Sequence, residues 1–258
     1  VREVDGREAL VVHYPGDEII YPEMGRGSRT QLRVRDDGTF HGDWGWNRGR
    51  VVRISGSGGG MEAWADLRIS VPPGADFALY LATGRTDLQG VEGRVLVDTG
   101  SGAIYSRGSR GYLSMDTGSG EVVVESHEGD LEVDTGSGSV ELNEVRGGEV
   151  NVDTGSGSVR GGNVRADRLV VDTGSGEIDL RQIASPTVEL DTGSGSVEVE
   201  ITQDLDHLEI DTGSGSVTVR VPPSVGAEVE MDTGSGGIDL DLPFEAREVR
   251  RDYVRGTL

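Results

Sequence analysis

The sequence predicts an all-β protein, a parallel β-solenoid (β-helix) of about nine rungs of about 19 residues each, with an N-terminal β-rich cap. Three observations predict this fold. One pentapeptide recurs at a nearly constant spacing, and apolar residues fall into columns when the repeats are aligned. The first 75 residues lack the repeat and read instead as short strands separated by Gly- and Pro-rich turns.

The repeated unit is Asp-Thr-Gly-Ser-Gly. Its eight copies are separated by 18, 18, 19, 19, 19, 20 and 21 residues, and a degraded copy stands at 82–86. The eight copies begin at Asp98, Asp116, Asp134, Asp153, Asp172, Asp191, Asp211 and Asp232. Such a period is typical of solenoids, in which each repeat buries the face of its neighbour.

Apolar columns flank every pentapeptide. In one repeat, Leu131 and Val133 precede it and Val140 follows it, and the second column after it is apolar except at Ser106 and Gly161. Each flank therefore reads as a strand with one buried face. Val133 and Val140 are seven residues apart, so the chain must turn between them. We assign that corner to the two Gly, which adopt positive φ at little cost, and the parity places the Thr inward.

Two architectures fit these columns: a coil of a parallel solenoid, or a hairpin of an antiparallel meander. We favour the solenoid, because identical side chains that recur in register suit parallel stacking. The segments after the second strand vary in sequence and length. Each rung thus has a constant side and a variable side.

The predicted domains are residues 1–75, a β-strand cap region, and residues 76–258, the solenoid. We expect cap strands at 9–14, 31–34, 51–54 and 63–71. All three Trp lie in this region, and Trp44 and Trp46 either plug the open end of the solenoid or form a ligand-binding aromatic surface, for example for carbohydrate. The C-terminal end holds little apolar material for a cap.

The chain is strongly acidic, with 24 basic residues, all Arg, against 46 acidic residues and a formal net charge of −22. This charge disfavours nucleic acid and anionic membrane surfaces as partners.

No apolar run reaches the ~20 residues of a membrane span, and there is no Cys. The chain begins at Val1 and not at Met, so we expect that an N-terminal segment has been removed, either a cleaved secretion signal or part of a longer chain from which this sequence is excised.

Parallel stacking would bring the eight Asp residues into a ladder with rungs ~4.8 Å apart. Neighbouring carboxylates at that distance repel each other by ~0.9 kcal/mol in water. Backbone N–H and hydroxyl donors at the corner could relieve the repulsion. Alternatively, Ca²⁺ ions bound between the rungs by these eight Asp could relieve it, since carboxylate oxygens suit that ion.

Asp-Thr-Gly-Ser also occurs in the catalytic loops of aspartic proteases, where two facing loops share one proton. A stacked column presents a one-sided row of Asp, so we predict no enzymatic activity and no catalytic residues. The four His residues show no ligand spacing and read as surface residues: His13, His41, His127 and His207.

Two segments resemble a bacterial family. They are Ala65-Asp66-Leu67-Arg68-Ile69-Ser70-Val71-Pro72 and rungs of the form Leu131-Glu132-Val133-Asp134-Thr135-Gly136-Ser137-Gly138-Ser139-Val140. Over residues 60–258 the chain is similar to a putative adhesin domain of unknown function, the toastrack-type β-helix family, and to the head domains of putative auto-transporter adhesins. The resemblance implies a β-solenoid, secretion or surface exposure, and no known catalytic residues.

We therefore expect a non-enzymatic secreted or cell-surface protein, structural or adhesin-like, which assembles end to end into an extracellular fibre. Its place would be extracellular, at the cell surface or periplasmic. The alternative is an envelope module that binds a glycan or a protein through the variable side or the Trp-rich cap. A polar groove on the variable side would favour the binding module, and an exposed apolar terminal rung would favour the fibre.

Overall fold

A computed structural model describes residues 1–4, 6–35, 38–40, 49–222, 226, 228–240 and 245–257. These residues form strands and, within the described ranges, one 3₁₀ helix at Pro22–Met24. They divide into two compact units: residues 1–70 with 80–84, and residues 71–79 with 85–258.

The N-terminal unit contains an antiparallel hairpin and a four-stranded mixed sheet. The hairpin joins β1 (Arg2–Val4) and β2 (Arg7–Ala9). The sheet has the order β4-β5-β3-β6 and is formed by β3 (Glu18–Ile20), β4 (Arg29–Val34), β5 (Arg50–Ser55) and β6 (Met61–Glu62). Its buried core is Ile19, Val34, Val52 and Ile54. The strands predicted at 31–34 and 51–54 are confirmed.

The strands predicted at 9–14 and 63–71 are wrong. Residues 10–15 and 63–72 have no regular secondary structure. The alternation of apolar residues in the second segment is real, but Trp64, Leu67 and Ile69 are exposed by 53, 56 and 44%. Alternation makes a strand only where a neighbouring strand supplies hydrogen bonds, and no pairing of this segment is found in the described chain.

The second unit is a parallel β-solenoid of about eight turns, which confirms the predicted fold class and excludes the antiparallel meander. In every turn a strand before the pentapeptide stacks on the same strand of the next turn, and the strand after it does likewise. The strands are β7 (Ala75–Leu81), β8 (Thr86–Gln89), β9 (Glu92–Thr99), β10 (Ile104–Arg107), β11 (Arg110–Thr117), β12 (Val122–Glu128), β13 (Leu131–Thr135), β14 (Val140–Thr154), β15 (Val159–Thr173), β16 (Ile178–Ile183), β17 (Thr187–Thr192), β18 (Val197–Ile201), β19 (His207–Thr212), β20 (Val217–Arg220), β21 (Glu228–Thr233) and β22 (Ile238–Leu240).

The predicted apolar columns form one continuous core along the solenoid axis. Leu131, Val133 and Val140, for example, are at most 2% exposed. Burying a side chain of this size contributes about 1.5–3 kcal/mol relative to leaving it in water, so the columns supply the driving force for stacking. At the exception Gly161, the side chain of Leu180 from the next turn fills the space that a Cβ would need.

The solenoid ends in an antiparallel hairpin of β23 (Glu245–Val249) and β24 (Tyr253–Thr257). β24 pairs in antiparallel fashion with β21, the last strand before a pentapeptide, over Glu228–Asp232. The sequence predicted little apolar material for a cap at this end, and the structure covers the β21 edge by backbone pairing with β24, in which Val254 is buried. Ion pairs join the hairpin to β21, among them Arg247 to Glu228 at 3.3 Å.

Candidate ligand-binding groove

The pentapeptide corner is held by its Thr residues, which point inward and are buried as predicted. The Thr154 hydroxyl donates a hydrogen bond of 3.1 Å to the carbonyl oxygen of Gly138, the second Gly of the preceding pentapeptide. The same bond repeats at Thr173 and Thr212. The Thr column is therefore a ladder of turn-to-turn hydrogen bonds.

The two Gly of each pentapeptide are required by close backbone approach. From the second copy onward, a Cβ at the second Gly would lie 1.7–2.2 Å from the carbonyl oxygen of its counterpart one turn earlier. A Cβ at the first Gly would lie 2.4–2.7 Å from the corresponding oxygen. The predicted positive φ occurs in the pentapeptides only at Gly102 and Gly120. The short distance between the backbones of stacked turns, more than positive φ, explains why Gly occupies both positions.

The eight Asp residues lie directly above one another in parallel register from Asp98 to Asp232. Partial burial, and after it the charge of neighbouring Asp residues, raises the pKa of five of them: Asp116, Asp134, Asp172, Asp191 and Asp211. The ladder predicted from the repeat is thus present as geometry, and the raised pKa values disfavour ionisation of these five carboxylates.

Calcium binding by the ladder stays a prediction. Within the described ranges no group of three or more His, Cys, Asp or Glu side chains is arranged to hold a metal ion. The predicted aromatic site at Trp44 and Trp46 lies outside the described residues.

A second corner lies on the variable side of the solenoid. At this corner one residue per turn adopts the left-handed conformation, with φ between 55° and 68°. This column consists of Gly90, Gly108, Ser126, Glu144, Asn163 and Gln182. The residues of this column from Gly90 to Glu144 line a hollow on the variable side of the solenoid.

The hollow is a groove of about 460 Å³ that runs across four turns. One wall is the left-handed column from Gly90 to Glu144. The other wall alternates in charge: Glu92, Arg110, Glu128 and Arg146. The Arg110 guanidinium donates to the Glu128 carboxylate at 3.0 Å, and the Ser126 hydroxyl donates to Glu144 at 2.9 Å.

A buried polar chain lies under this groove. The Ser106 hydroxyl donates to Ser109 at 3.0 Å, and the Ser109 hydroxyl lies 2.9 Å from Nδ1 of His127. Because the Asp130 carbonyl oxygen can only accept, Nε2–H of His127 donates to it at 3.3 Å. In the neutral imidazole Nδ1 is then the acceptor, and the Ser109 hydroxyl donates to it. Burial outweighs these contacts and lowers the pKa of His127.

The expectation that His127 is a surface residue is wrong, because its side chain is 0% exposed. His127 stands in register with Val145 and Val164, so it occupies a core column. His207, in contrast, is part-exposed and lies 3.3 Å from Glu209. The signal that sequence reasoning missed was the continuation of the core column across the left-handed residue.

No helix in the described part of the chain is long and apolar enough to span a membrane. No curated protein and no solved structure matches the chain. The family Toastrack DUF4097 matches residues 107–257, which include seven of the eight pentapeptides, the second corner from Gly108 onward and the C-terminal hairpin. With more than half of its length matched on a parallel β-solenoid, the chain belongs to the Toastrack DUF4097 family, a domain of unknown function.

Proposed function

We propose that this protein is a non-enzymatic, adhesin-like module of the cell surface or envelope, and that it binds a glycan or protein ligand in the groove of the second corner. The observation that carries the proposal is the concentration of charged and hydroxyl side chains in one concave surface on the variable side. Concave surfaces with convergent polar groups are the usual place for ligand binding.

The solenoid supports this role mechanically. Turn-to-turn hydrogen bonds of Thr and Gly and a continuous apolar core hold each groove residue at a fixed height on the axis. Residues on rigid strands keep their binding geometry more accurately than residues on free loops. The end-to-end fibre is the weaker candidate, because the antiparallel hairpin covers the β21 edge that a second copy would need.

Amide hydrogen exchange with a panel of neutral and acidic oligosaccharides tests the proposal. Ligand-dependent protection should appear at 90–92, 108–110, 126–128 and 144–146. Glu92→Trp, which places a ring in the groove, should abolish it, whereas Glu141→Trp, at an exposed site outside the groove lining, should not. Protection at other residues, or in both variants alike, would contradict binding in this groove.

A further inference from the structure

Two arginines are stacked on each other at the C-terminal end of the groove. Arg146 lines the groove, and Arg165 stacks on Arg146 in parallel register in the next turn. Both side chains are exposed. Elsewhere an Arg typically reaches a carboxylate of a neighbouring turn, as in Arg107–Glu125, Arg110–Glu128, Arg168–Glu189 and Arg220–Glu198.

The carboxylates beside Arg146 are engaged by other groups. Glu128 accepts from Arg110, and Glu144 accepts from the Ser126 hydroxyl. Asp130 accepts the backbone N–H groups of Gly148 and Glu149 at 3.1 and 3.0 Å. In the part of the chain that the structure describes, neither Arg146 nor Arg165 forms an ion pair. A protein of net charge −22 thus keeps two stacked guanidinium groups unneutralised.

We propose that Arg146 and Arg165 clamp the carboxylate of an acidic sugar, so that the groove binds a linear glycan built of uronic-acid-type units. This inference rests on the proposed function and names its ligand class. Each guanidinium presents a planar fork of N–H donors that matches a carboxylate. Stacked turns lie ~4.8 Å apart, which lets both forks reach the same carboxylate or hold two in succession.

The remainder of the groove favours a sugar over an acidic peptide. Glu92 and Glu144 offer acceptors to which sugar hydroxyls can donate, whereas the ionised side chains of a polyacidic peptide carry no donor for them. A peptide bound by strand addition would need free backbone groups. Here the backbone N–H groups of Arg110 and Glu128 already donate to Val91 and Ser109 of the preceding turn.

Calorimetric titration with trigalacturonate tests the inference, with maltotriose and triglutamate as comparison probes. Trigalacturonate should bind, and each of Arg146→Gln and Arg165→Gln should weaken it about tenfold or more, as expected for losing a charged hydrogen bond. The double variant should show no binding. Arg220→Gln, which removes an exposed Arg that pairs with Glu198 outside the groove lining, is the matched control and should bind as the wild type does.

Three results would overturn the inference. They are equal binding of maltotriose and trigalacturonate, Arg-dependent binding of triglutamate in preference to the sugar, or wild-type affinity in the double variant. Groove protection by maltotriose alone would leave the proposed binding function standing, whereas the absence of groove protection by all three probes would contradict both. Arg146→Lys keeps the positive charge but lacks the planar pair of N–H donors. It should therefore bind trigalacturonate more tightly than Arg146→Gln does and less tightly than the wild type does. Melting curves verify that the exposed substitutions leave the fold intact.

Discussion

Glycine and threonine have separate tasks at the pentapeptide corner. Threonine donates its hydroxyl to a carbonyl of the preceding turn, and glycine allows the backbones to approach closely enough for that bond. A repeat that stacks eight identical corners must satisfy both conditions in every turn. This explains why Thr and the two Gly are the same in all eight copies while the surrounding columns tolerate Val, Leu, Ile and Met.

Gly157→Ala tests the close approach. Its Cβ would lie 1.7 Å from the carbonyl oxygen of Gly138, which is backbone and cannot move without separating two turns. We expect a loss of about 3 kcal/mol or more in the free energy of unfolding, at the upper end of ordinary overpacking. Gly237→Ala is the control, because nothing lies within 4 Å of its Cβ. Urea denaturation of both variants measures the difference, and equal stabilities would contradict the packing argument.

His127 predicts a dependence of stability on pH. Its folded-state pKa is lowered, so the unfolded chain takes up a proton that the folded chain resists. The free energy of unfolding should therefore fall as pH drops below about 6.5, the ordinary value for His. The double variant His127→Val with Ser109→Ala removes both the imidazole and the hydroxyl that it satisfies, and should abolish this slope.

Urea unfolding between about pH 5.5 and 8 measures the His127 effect, above the range in which most carboxylates titrate. His207→Gln is the control, since His207 is part-exposed and should leave the slope in place. A slope that survives in the double variant would assign the effect to another group.

The Asp ladder acts as an element, because neighbouring charges raise the pKa of five of its carboxylates. The pKa of Asp172 is raised by burial and by the charge of Asp153, so the folded chain holds its proton more tightly than the unfolded chain. This contribution to stability is present at low pH and is lost as pH rises from 3.8 through the folded-state value. At neutral pH the ladder is therefore a net cost.

Asp172→Asn should stabilise the protein at pH 7. Removing one charge relieves repulsion from two neighbours at ~4.8 Å, worth about 1–2 kcal/mol in a water-like dielectric. Asp87→Asn is the control, because Asp87 accepts two hydrogen bonds from Arg85 and its loss should not stabilise. Thermal melts at low and high NaCl measure the gain, which should shrink as salt screens the ladder. If Asp172→Asn instead destabilises the protein at low salt, a bound cation or another group already neutralises the Asp172 carboxylate.

Calcium in the ladder would reverse the effect of that substitution. If Ca²⁺ bridges neighbouring turns, millimolar Ca²⁺ should raise Tm more than NaCl of equal ionic strength, and a chelator should reverse the gain. Asp172→Asn would then lower Tm in the presence of Ca²⁺. An unchanged melting curve would contradict the calcium hypothesis.

The two corners differ in how far the sequence predicts them. The pentapeptide corner is readable because side-chain chemistry is repeated there, down to the direction of the Thr. The second corner shares only a backbone angle among Gly90, Ser126, Glu144 and Asn163, and Gly and Asn alone are residues that favour it. A reader who does not know this angle cannot follow the alternation of buried and exposed residues past the corner. For that reason the sequence predicted His127 to be a surface residue and did not predict which residues line the groove.

At the scale of the solenoid, the edges decide whether copies associate. A parallel edge strand is a template for another chain unless pairing or charge blocks it. The C-terminal hairpin provides both, since β24 pairs with β21 and its Arg255 lies 3.9 Å from Glu230. The sequence predicted little apolar material for a cap at this end, and the structure covers the β21 edge mainly by backbone pairing with β24, whose Val254 is buried.

We therefore expect discrete particles and no filaments. Negative-stain electron microscopy and sizing chromatography at several concentrations should show one unchanged species for the wild type. A variant that lacks residues 245–258 exposes the β21 edge and should associate in a concentration-dependent way while keeping its β-type circular dichroism. Filaments of the intact chain would contradict the protective role of the hairpin. They would favour the end-to-end fibre over the binding module, because head-to-tail contacts at such an edge form open filaments and not closed oligomers.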